Sequence, residues 1–361
     1  MENRPIDHTF GCMAGEGLID LDGIPPEGRK IRASLDPNND TTVTVTCGTA
    51  NYVCEHGPPM DMWSLSLDPA SNHSYYPYGA MDDDKFSYQN GGKENALMMF
   101  NSTMLPIKAA VAENFAVFND LHGSVPSFST PNHLFTHTGT SCGLDDNLNY
   151  LQCGGNTATF PQTTIYDSLD LNGVSFGMYT NSTTGACPEM ELDGVARHKD
   201  NCFSHDQFYK DAAAGTLPAF SYLSPVGEAC DHPCHDMAKG ERQLKDIYEA
   251  LRAGPGWENT LFVVQYDDGG GFYDHVVPPH ENVPNDESPC HVVPGCTKGF
   301  DFRRLGIRVT SYIISPWIPK NLAIKKPKKE GSEWDLTSAI ASAKVLFNLT
   351  SYLTKRDAWC E

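Results

Sequence analysis

The sequence predicts an α/β protein in which a mostly parallel central sheet is covered by helices on both faces, a three-layer α/β/α sandwich. Short apolar runs of strand length, such as FAVFND and TLFVVQY, alternate with helical runs, and strands apolar on both faces need cover on both. The chain has 361 residues, enough for one large core with insertions, and a single domain over 1–361 is expected. Hydrophobic residues make up 40% and charged residues 20%, the balance of an ordinary globular protein.

The elements follow in order. Residues 12–100 hold few periodic segments, and Pro, Gly, Asn and Asp recur in DPNND and DDDKFSYQNGG. An irregular elaboration over an active-site face is expected there. MLPIKAAVAENF predicts a helix and FAVFND a short buried strand; further short strands are expected around Leu134-Phe135 and in GVSFGMYT. The clearest helix is DMAKGERQLKDIYEALRAG, where Met237, Leu244, Ile247, Tyr248 and Leu251 share one face. Asp236 is placed to cap its start and Gly254-Pro255 to stop it. TLFVVQY and RVTSYIIS then read as strands, TSAIASAKVLF as a final helix, and KKPKKEGSE as a solvated loop. In such folds functional groups gather at the carboxyl ends of strands.

Charge and cysteine content narrow the function. A formal charge of −20 repels a phosphate backbone and disfavours nucleic acid as a partner. Twelve cysteines suggest an oxidising compartment, secreted or lumenal. Asn39, Asn72, Asn101, Asn181 and Asn348 each open an Asn-x-Ser/Thr sequon, a weak added sign of a glycoprotein. No run approaches the roughly 18 apolar residues of a membrane span. Polar residues follow Met1 at once, so a missing signal peptide and a trimmed start are expected.

Four constellations carry chemistry. LFVVQYDDGGGFYDHVVPP ends a buried strand in Asp267-Asp268, and the glycines after it let both carboxylates converge. Such a pair is costly when buried unless a cation sits between the two, whereas an acidic turn in solvent is the plainer alternative. A calcium loop of EF-hand spacing does not fit. EACDHPCHDMAKG places His232 and His235 before the strong helix; with Cys230 and Cys234 they could be drawn as a zinc site, though disulfides are the favoured fate of those cysteines. STPNHLFTHTGTSCG runs into the hydroxyls of Thr138, Thr140 and Ser141, and a nucleophile there would need a base or a metal. MENRPIDHTFG gathers Glu2, Asn3, Asp7 and His8 at the chain's start. No G-x-S-x-G elbow occurs, which argues against an α/β-hydrolase.

Taken together and in order, these segments resemble the phosphoesterase family that contains the non-specific phospholipases C and related acid phosphatases, within the wider alkaline-phosphatase-like group. MENRPIDHTFG is similar to the family's opening motif, FSTPNHLF to its T-x-PNR region, and the tail SEWDLTSAIASAKVLFNLTSYLTKRDAW to the plant-type ending. The resemblance implies a secreted, metal-dependent phosphoesterase working through a phospho-threonine. Glu2, Asn3, Asp267 and Asp268 would bind a divalent cation (Ca²⁺, Mg²⁺, Mn²⁺ or Zn²⁺), with Thr140 as metal-bound nucleophile and Ser141 the lesser choice. His232 and His275 would hold phosphoryl oxygens or protonate the leaving group, with His56 as a third histidine. The substrate would be a glycerophospholipid, with transient contact at a membrane surface, or else a soluble phosphomonoester. Four departures bear on substrate choice: His133 stands where the family has Arg after Pro-Asn, Asp268 where it has Glu, Gly269 where plant members carry His, and Leu336 for a usual His. A sulfatase is disfavoured because no Cys-x-Pro occurs. A non-catalytic binding protein on the same fold is the rival of another class, and it would have no reason to keep Glu2, Asn3, Thr140, Asp267 and Asp268 together. The resemblance also places a strand before Met1, leaving Glu2 and Asn3 expected on an unanchored end.

Overall fold

Apolar runs become strands and amphipathic runs become helices, largely where the sequence sets them. The computed structural model describes residues 1–32, 42–53, 95–145, 147, 160–181, 187–233, 235–286 and 300–360. In chain order its main elements are β1 (Arg29–Arg32), β2 (Thr42–Cys47), β3 (Met98–Met99), α1 (Pro106–Asn114), β4 (Ala116–Phe118), β5 (Leu121–His122), α2 (Ser129–Thr138) and α3 (Ile165–Leu171). Then come β6 (Phe176–Thr180), β7 (Cys202–Ser204), α4 (His205–Ala214), β8 (Phe220–Leu223), α5 (Met237–Ala253), β9 (Phe262–Gln265), β10 (Ser311–Ile314), β11 (Leu322–Ile324), β12 (Trp334–Asp335), α6 (Ser338–Leu346) and α7 (Lys355–Trp359).

The α/β class holds. A four-stranded sheet has the order β11-β4-β10-β9, and a second, wholly parallel sheet the order β7-β6-β8. β11 runs parallel to β4, as does β12 to β5. TLFVVQY and RVTSYIIS differ from the parallel expectation: β10 pairs antiparallel with β9 and with β4, setting Tyr312 opposite Val264 and Val117. Among the described residues no helix lies between β9 and β10, and without a crossover helix the chain returns antiparallel.

Two further expectations are corrected. Leu134 and Phe135 lie inside α2, not in a strand. Leu134, Phe135, His137 and Thr138 are all buried, a helical period that a short apolar run cannot reveal by itself. Gly139 ends the helix at φ 74, and its N–H bonds back to the Phe135 carbonyl at 2.9 Å. Within the irregular stretch, β1 and β2 form an antiparallel pair, fastened below by the Cys12–Cys47 disulfide. Much of that stretch, including 54–94, lies outside the described residues.

α5 meets its prediction: Met237, Leu244, Ile247 and Leu251 are buried, and Asp236 accepts the Ala238 N–H at 2.9 Å. Each buried Leu or Ile contributes about 1.5–3 kcal/mol. Those side chains pack with Val111, Val117, Val264 and Tyr312 in the main core. A charged cluster is buried beside them. Lys108 Nζ lies 3.1 Å from Asp231 Oδ2 and 3.0 Å from Glu241 Oε1, while Glu241 also accepts the Ile107 N–H at 2.7 Å. A Cβ at Gly240 would stand 1.7 Å from Asp231 Oδ1, so only glycine lets α5 approach that loop. Lys108→Met would remove the ammonium that both buried carboxylates share. The expected loss is about 3–5 kcal/mol, read as a lower urea midpoint at unchanged slope; a loss below about 1 kcal/mol would show that this cluster does not fasten α1 to α5.

Candidate active site

The site forms where the first residues of the chain meet the end of β9. The Met1 amino group donates to the Gln265 carbonyl at 3.2 Å, the Glu2 N–H to the Cys230 carbonyl at 2.7 Å, and the Asn3 N–H to Asp267 Oδ1 at 2.8 Å. The Thr310 N–H closes on the Arg4 carbonyl at 3.0 Å, and Pro5 bridges antiparallel to Val309. The segment is thus tied to three neighbours, unlike the unanchored end expected. Asn3 adopts φ 59, a region Asn tolerates better than most residues. Gly270, at φ 58, lies so close that a Cβ there would meet the Asn3 carbonyl oxygen at 2.1 Å. The DDGGG run therefore serves two ends, turning the strand and admitting the Asn3 backbone.

Four predicted residues are brought together, with Ser129 among them. Asn3 Nδ2 donates to Asp268 Oδ2 at 3.2 Å. Ser129 Oγ lies 3.2 Å from Asp268 Oδ2 and 3.4 Å from both Glu2 Oε2 and Asn3 Oδ1. A hydroxyl carries one proton, so three acceptors around it cannot all be satisfied. Ser129 opens α2, and Asn132 fixes the turn before it by donating to the carbonyls of Val125, Ser127 and Phe128 at 3.1–3.3 Å. The helix amide ends add positive potential at this point.

The electrostatics are those of crowded carboxylates. Burial, then the charge of Asp267, push the Asp268 carboxyl well above the usual range. Burial opposes ionisation of Asp267 too, but its hydrogen bond and ion pair with His133 outweigh that and hold its pKa well down. His133 Nε2 lies 3.2 Å from Asp267 Oδ2 and 3.4 Å from Glu2 Oε1; its Nδ1 lies 2.8 Å from Glu189 Oε1. Burial works against the imidazolium, yet Glu2, Asp267 and Glu189 raise its pKa well above the ordinary histidine value, and Glu189 is drawn down to about 2. One ligand atom from each of Glu2, His133 and Asp267 lies within 4.8 Å of the others.

Other predicted residues fall elsewhere. Thr140 follows the far end of α2, eleven residues beyond Ser129 and about 16 Å along the helix direction at 1.5 Å per residue. Its hydroxyl bonds Asp286, and Ser141 Oγ bonds the same carboxylate at 3.3 Å. The structure thus does not bring Thr140 or Ser141 to the carboxylates. His275 is also turned away: Nδ1 lies 2.6 Å from Asp7 Oδ2 and Nε2 3.0 Å from Asp22 Oδ1. It belongs to a buried ion network in which Arg308 bridges Asp7 at 3.0 Å and Asp274 at 2.9 Å. His232 borders the site through its backbone, two residues beyond the carbonyl that receives Glu2, while its ring faces Pro233 and His235. His56 lies outside the described residues. Cys230 is a free thiol 3.3 Å from His235 Nδ1, which corrects its assignment to a disulfide; Cys234 lies outside the described residues.

Sequence reasoning missed Ser129, His133 and Glu189 as site residues. Spacing held a signal for the first two: i and i+4 are close neighbours on one helix face, a closeness hidden by reading a strand at Leu134-Phe135. Nothing in the sequence pointed to Glu189.

Fold and site together define an α/β hydrolytic enzyme whose oxygen-rich centre lies at a strand's carboxyl end. The family model described as Phosphoesterase family matches residues 1–350. Non-specific phospholipase C1 of Arabidopsis thaliana is 34% identical over 388 residues, spanning 99% of this chain and 68% of that protein. Non-specific phospholipase C6 of the same plant is 32% identical over 370 residues, spanning 99% and 69%. A solved alkaline phosphatase superfamily protein from Vibrio parahaemolyticus shares 11% identity and a TM-score of 0.39 over 68% of this chain and 61% of that one, too distant to inform the site. The chain belongs to the phosphoesterase family, and it is a hydrolase acting on phosphoric ester bonds.

The His275 clamp has a pH signature. Burial opposes the charge on both partners, but Asp7 raises the His275 pKa, and Arg308 and His275 lower that of Asp7. The Asp7 contribution is present above the ordinary carboxylate pKa and lost as pH falls through its lowered value. That of His275 is present below the ordinary histidine pKa and lost as pH rises through its raised value. Calorimetric melting of chelator-treated protein should therefore show a loss of stability as pH rises past neutrality, smaller in His275→Gln, where His133 still contributes. Parallel profiles for the two proteins would refute the clamp.

Proposed function

We propose that this phosphoesterase is a metal-dependent, phospholipase C-like enzyme acting on glycerophospholipids through Ser129. One observation carries the reading: the Ser129 hydroxyl stands within 3.2–3.4 Å of oxygens from Glu2, Asn3 and Asp268. The donor set fits a divalent cation, because Glu2, Asp267 and Asp268 crowd carboxylates together and one ligand atom from each of Glu2, His133 and Asp267 lies within 4.8 Å of the others. Glu2, Asn3, Asp267, Asp268 and Ser129 would hold it. When bound, such a cation lowers the hydroxyl pKa and neutralises charge on the phosphoryl oxygens.

Ser129 takes the role assigned from sequence to Thr140. Its Oγ attacks phosphorus, passing its proton toward Asp268 Oδ2, and the diacylglycerol oxygen departs as a phospho-serine forms. The amide end of α2 steadies the negative charge. In this reading His232, on the loop that receives Glu2, would protonate the leaving oxygen after its ring turns from Pro233 and His235 toward the site, and water then releases the phosphorylated headgroup. Ser129, Glu2 and His133 are only half-buried, leaving the centre open to an ester in solution or at a lipid surface. No helix among the described residues is long and apolar enough to cross a membrane. Secretion is part of the proposal, supported by the Cys12–Cys47 and Cys187–Cys202 disulfides.

The test is hydrolysis of phosphatidylcholine vesicles, p-nitrophenylphosphorylcholine and p-nitrophenyl phosphate. EDTA should abolish turnover, Ser129→Ala should lower kcat by roughly 1,000-fold or more, and Thr140→Val should stay within a few-fold. Activity that survives Ser129→Ala but falls with Thr140→Val in a folded protein would overturn the assignment. Turnover of the monoester alone would make the enzyme a phosphatase.

A further inference from the structure

His133 occupies the position where the family resemblance sets an arginine, and an arginine cannot ligate a cation. It stands four residues after Ser129 on α2, so both side chains share the face turned to the carboxylates. Its two ring nitrogens face different partners. Nδ1 is held 2.8 Å from Glu189 Oε1, and Nε2 points between Asp267 Oδ2 at 3.2 Å and Glu2 Oε1 at 3.4 Å. A carboxylate that accepts the Nδ1–H hydrogen bond fixes the neutral tautomer whose lone pair is on Nε2, which is how metal-binding histidines are commonly oriented.

Glu189 is itself held in place. Its backbone adopts φ 46, left-handed for a non-glycine residue, and its carbonyl accepts the Leu192 N–H at 2.9 Å. Two residues earlier, Cys187 is bonded to Cys202 at the start of β7. A strained backbone kept by a nearby cross-link marks an orientation the fold imposes. Opposite the imidazole, Asp267 is 5% exposed and its Oδ2 faces His133 Nε2 across 3.2 Å, so a buried carboxylate oxygen and the ring nitrogen are aimed into the same space.

We propose that His133 Nε2 is a nitrogen ligand of the divalent cation and that Glu189 is its positioning residue. The inference rests on the metal-dependent reading above and narrows it. An imidazole in the donor set favours a borderline first-row cation of the zinc type over Ca²⁺ or Mg²⁺, which prefer oxygen alone.

Calorimetry on the chelator-stripped full chain, titrated separately with Zn²⁺ and Ca²⁺, tests it, together with X-ray absorption of the zinc-loaded protein. Wild type should bind Zn²⁺ far more tightly than Ca²⁺ and show imidazole scattering. His133→Gln should lose at least tenfold in Zn²⁺ affinity and the scattering, while its Ca²⁺ affinity stays within about threefold. Glu189→Gln should lose roughly 10–100-fold for Zn²⁺ with the imidazole retained at reduced order. Unchanged Zn²⁺ affinity in a folded His133→Gln protein overturns the inference. Asp267→Asn separates the two readings. If cation binding needs Asp267 but not His133, only this inference falls; if wild type binds no divalent cation, the metal-dependent reading falls and takes it along.

Discussion

The bond from the Asn3 N–H to Asp267 Oδ1, 2.8 Å long, joins residues 264 positions apart, and the site depends on it. It aligns the opening segment against the end of β9, so that the side chains of Glu2 and Asn3 arrive beside Asp267 and Asp268. The Met1 amino group on the Gln265 carbonyl and the Asn3 side chain on Asp268 reinforce the same junction. Gly270 is the steric condition for the contact, since any side chain there would displace the Asn3 carbonyl.

This anchoring concentrates like charge, and the rest of the molecule shows how the fold treats buried carboxylates elsewhere. The chain has only 26 basic residues against 46 acidic ones, yet Lys108, Arg308 and Arg356 are fully buried, each against carboxylates. Lys108 compensates Asp231 and Glu241, Arg308 compensates Asp7 and Asp274, and Arg356 compensates Asp335. Such pairs cost desolvation but fix which segments meet. The Glu2, Asp267 and Asp268 group differs: among the described residues its basic neighbour is His133, a side chain able to give up its proton. A centre whose counter-charge is exchangeable suits a cation that comes and goes.

The sequence was legible where one physical rule dominated. α5 was marked by apolar period, cap and stop, and the strands of the main sheet by short apolar runs. Asp267 and Asp268 were legible because adjacent carboxylates at a buried strand end demand an explanation. Strand direction was less so, since β9 and β10 pair through a long connection whose course no local pattern records. Thr140 was named as nucleophile by the family resemblance, on a hydroxyl-rich turn, but those hydroxyls are taken up by Asp286 and by the backbone at the far end of α2. Glu189 was illegible because it meets His133 from a turn far along the chain, and no local pattern ties the two together.

The misreading of α2 had a geometric consequence. In a strand, Ser129 and His133 would also share a face, but about 13 Å apart at 3.3 Å per residue. In a helix the same four residues rise about 6 Å, which lets one short element set a hydroxyl and an imidazole on the same carboxylate cluster. Helix sense also decides which hydroxyl the proposed mechanism can use. Eleven residues of separation put Thr140 well beyond reach whichever element is drawn, so a hydroxyl that meets Glu2, Asn3 and Asp268 must come from the first turn of α2. There Asn132 holds the preceding loop by three bonds to backbone carbonyls, and it fixes Ser129 without touching the carboxylates itself.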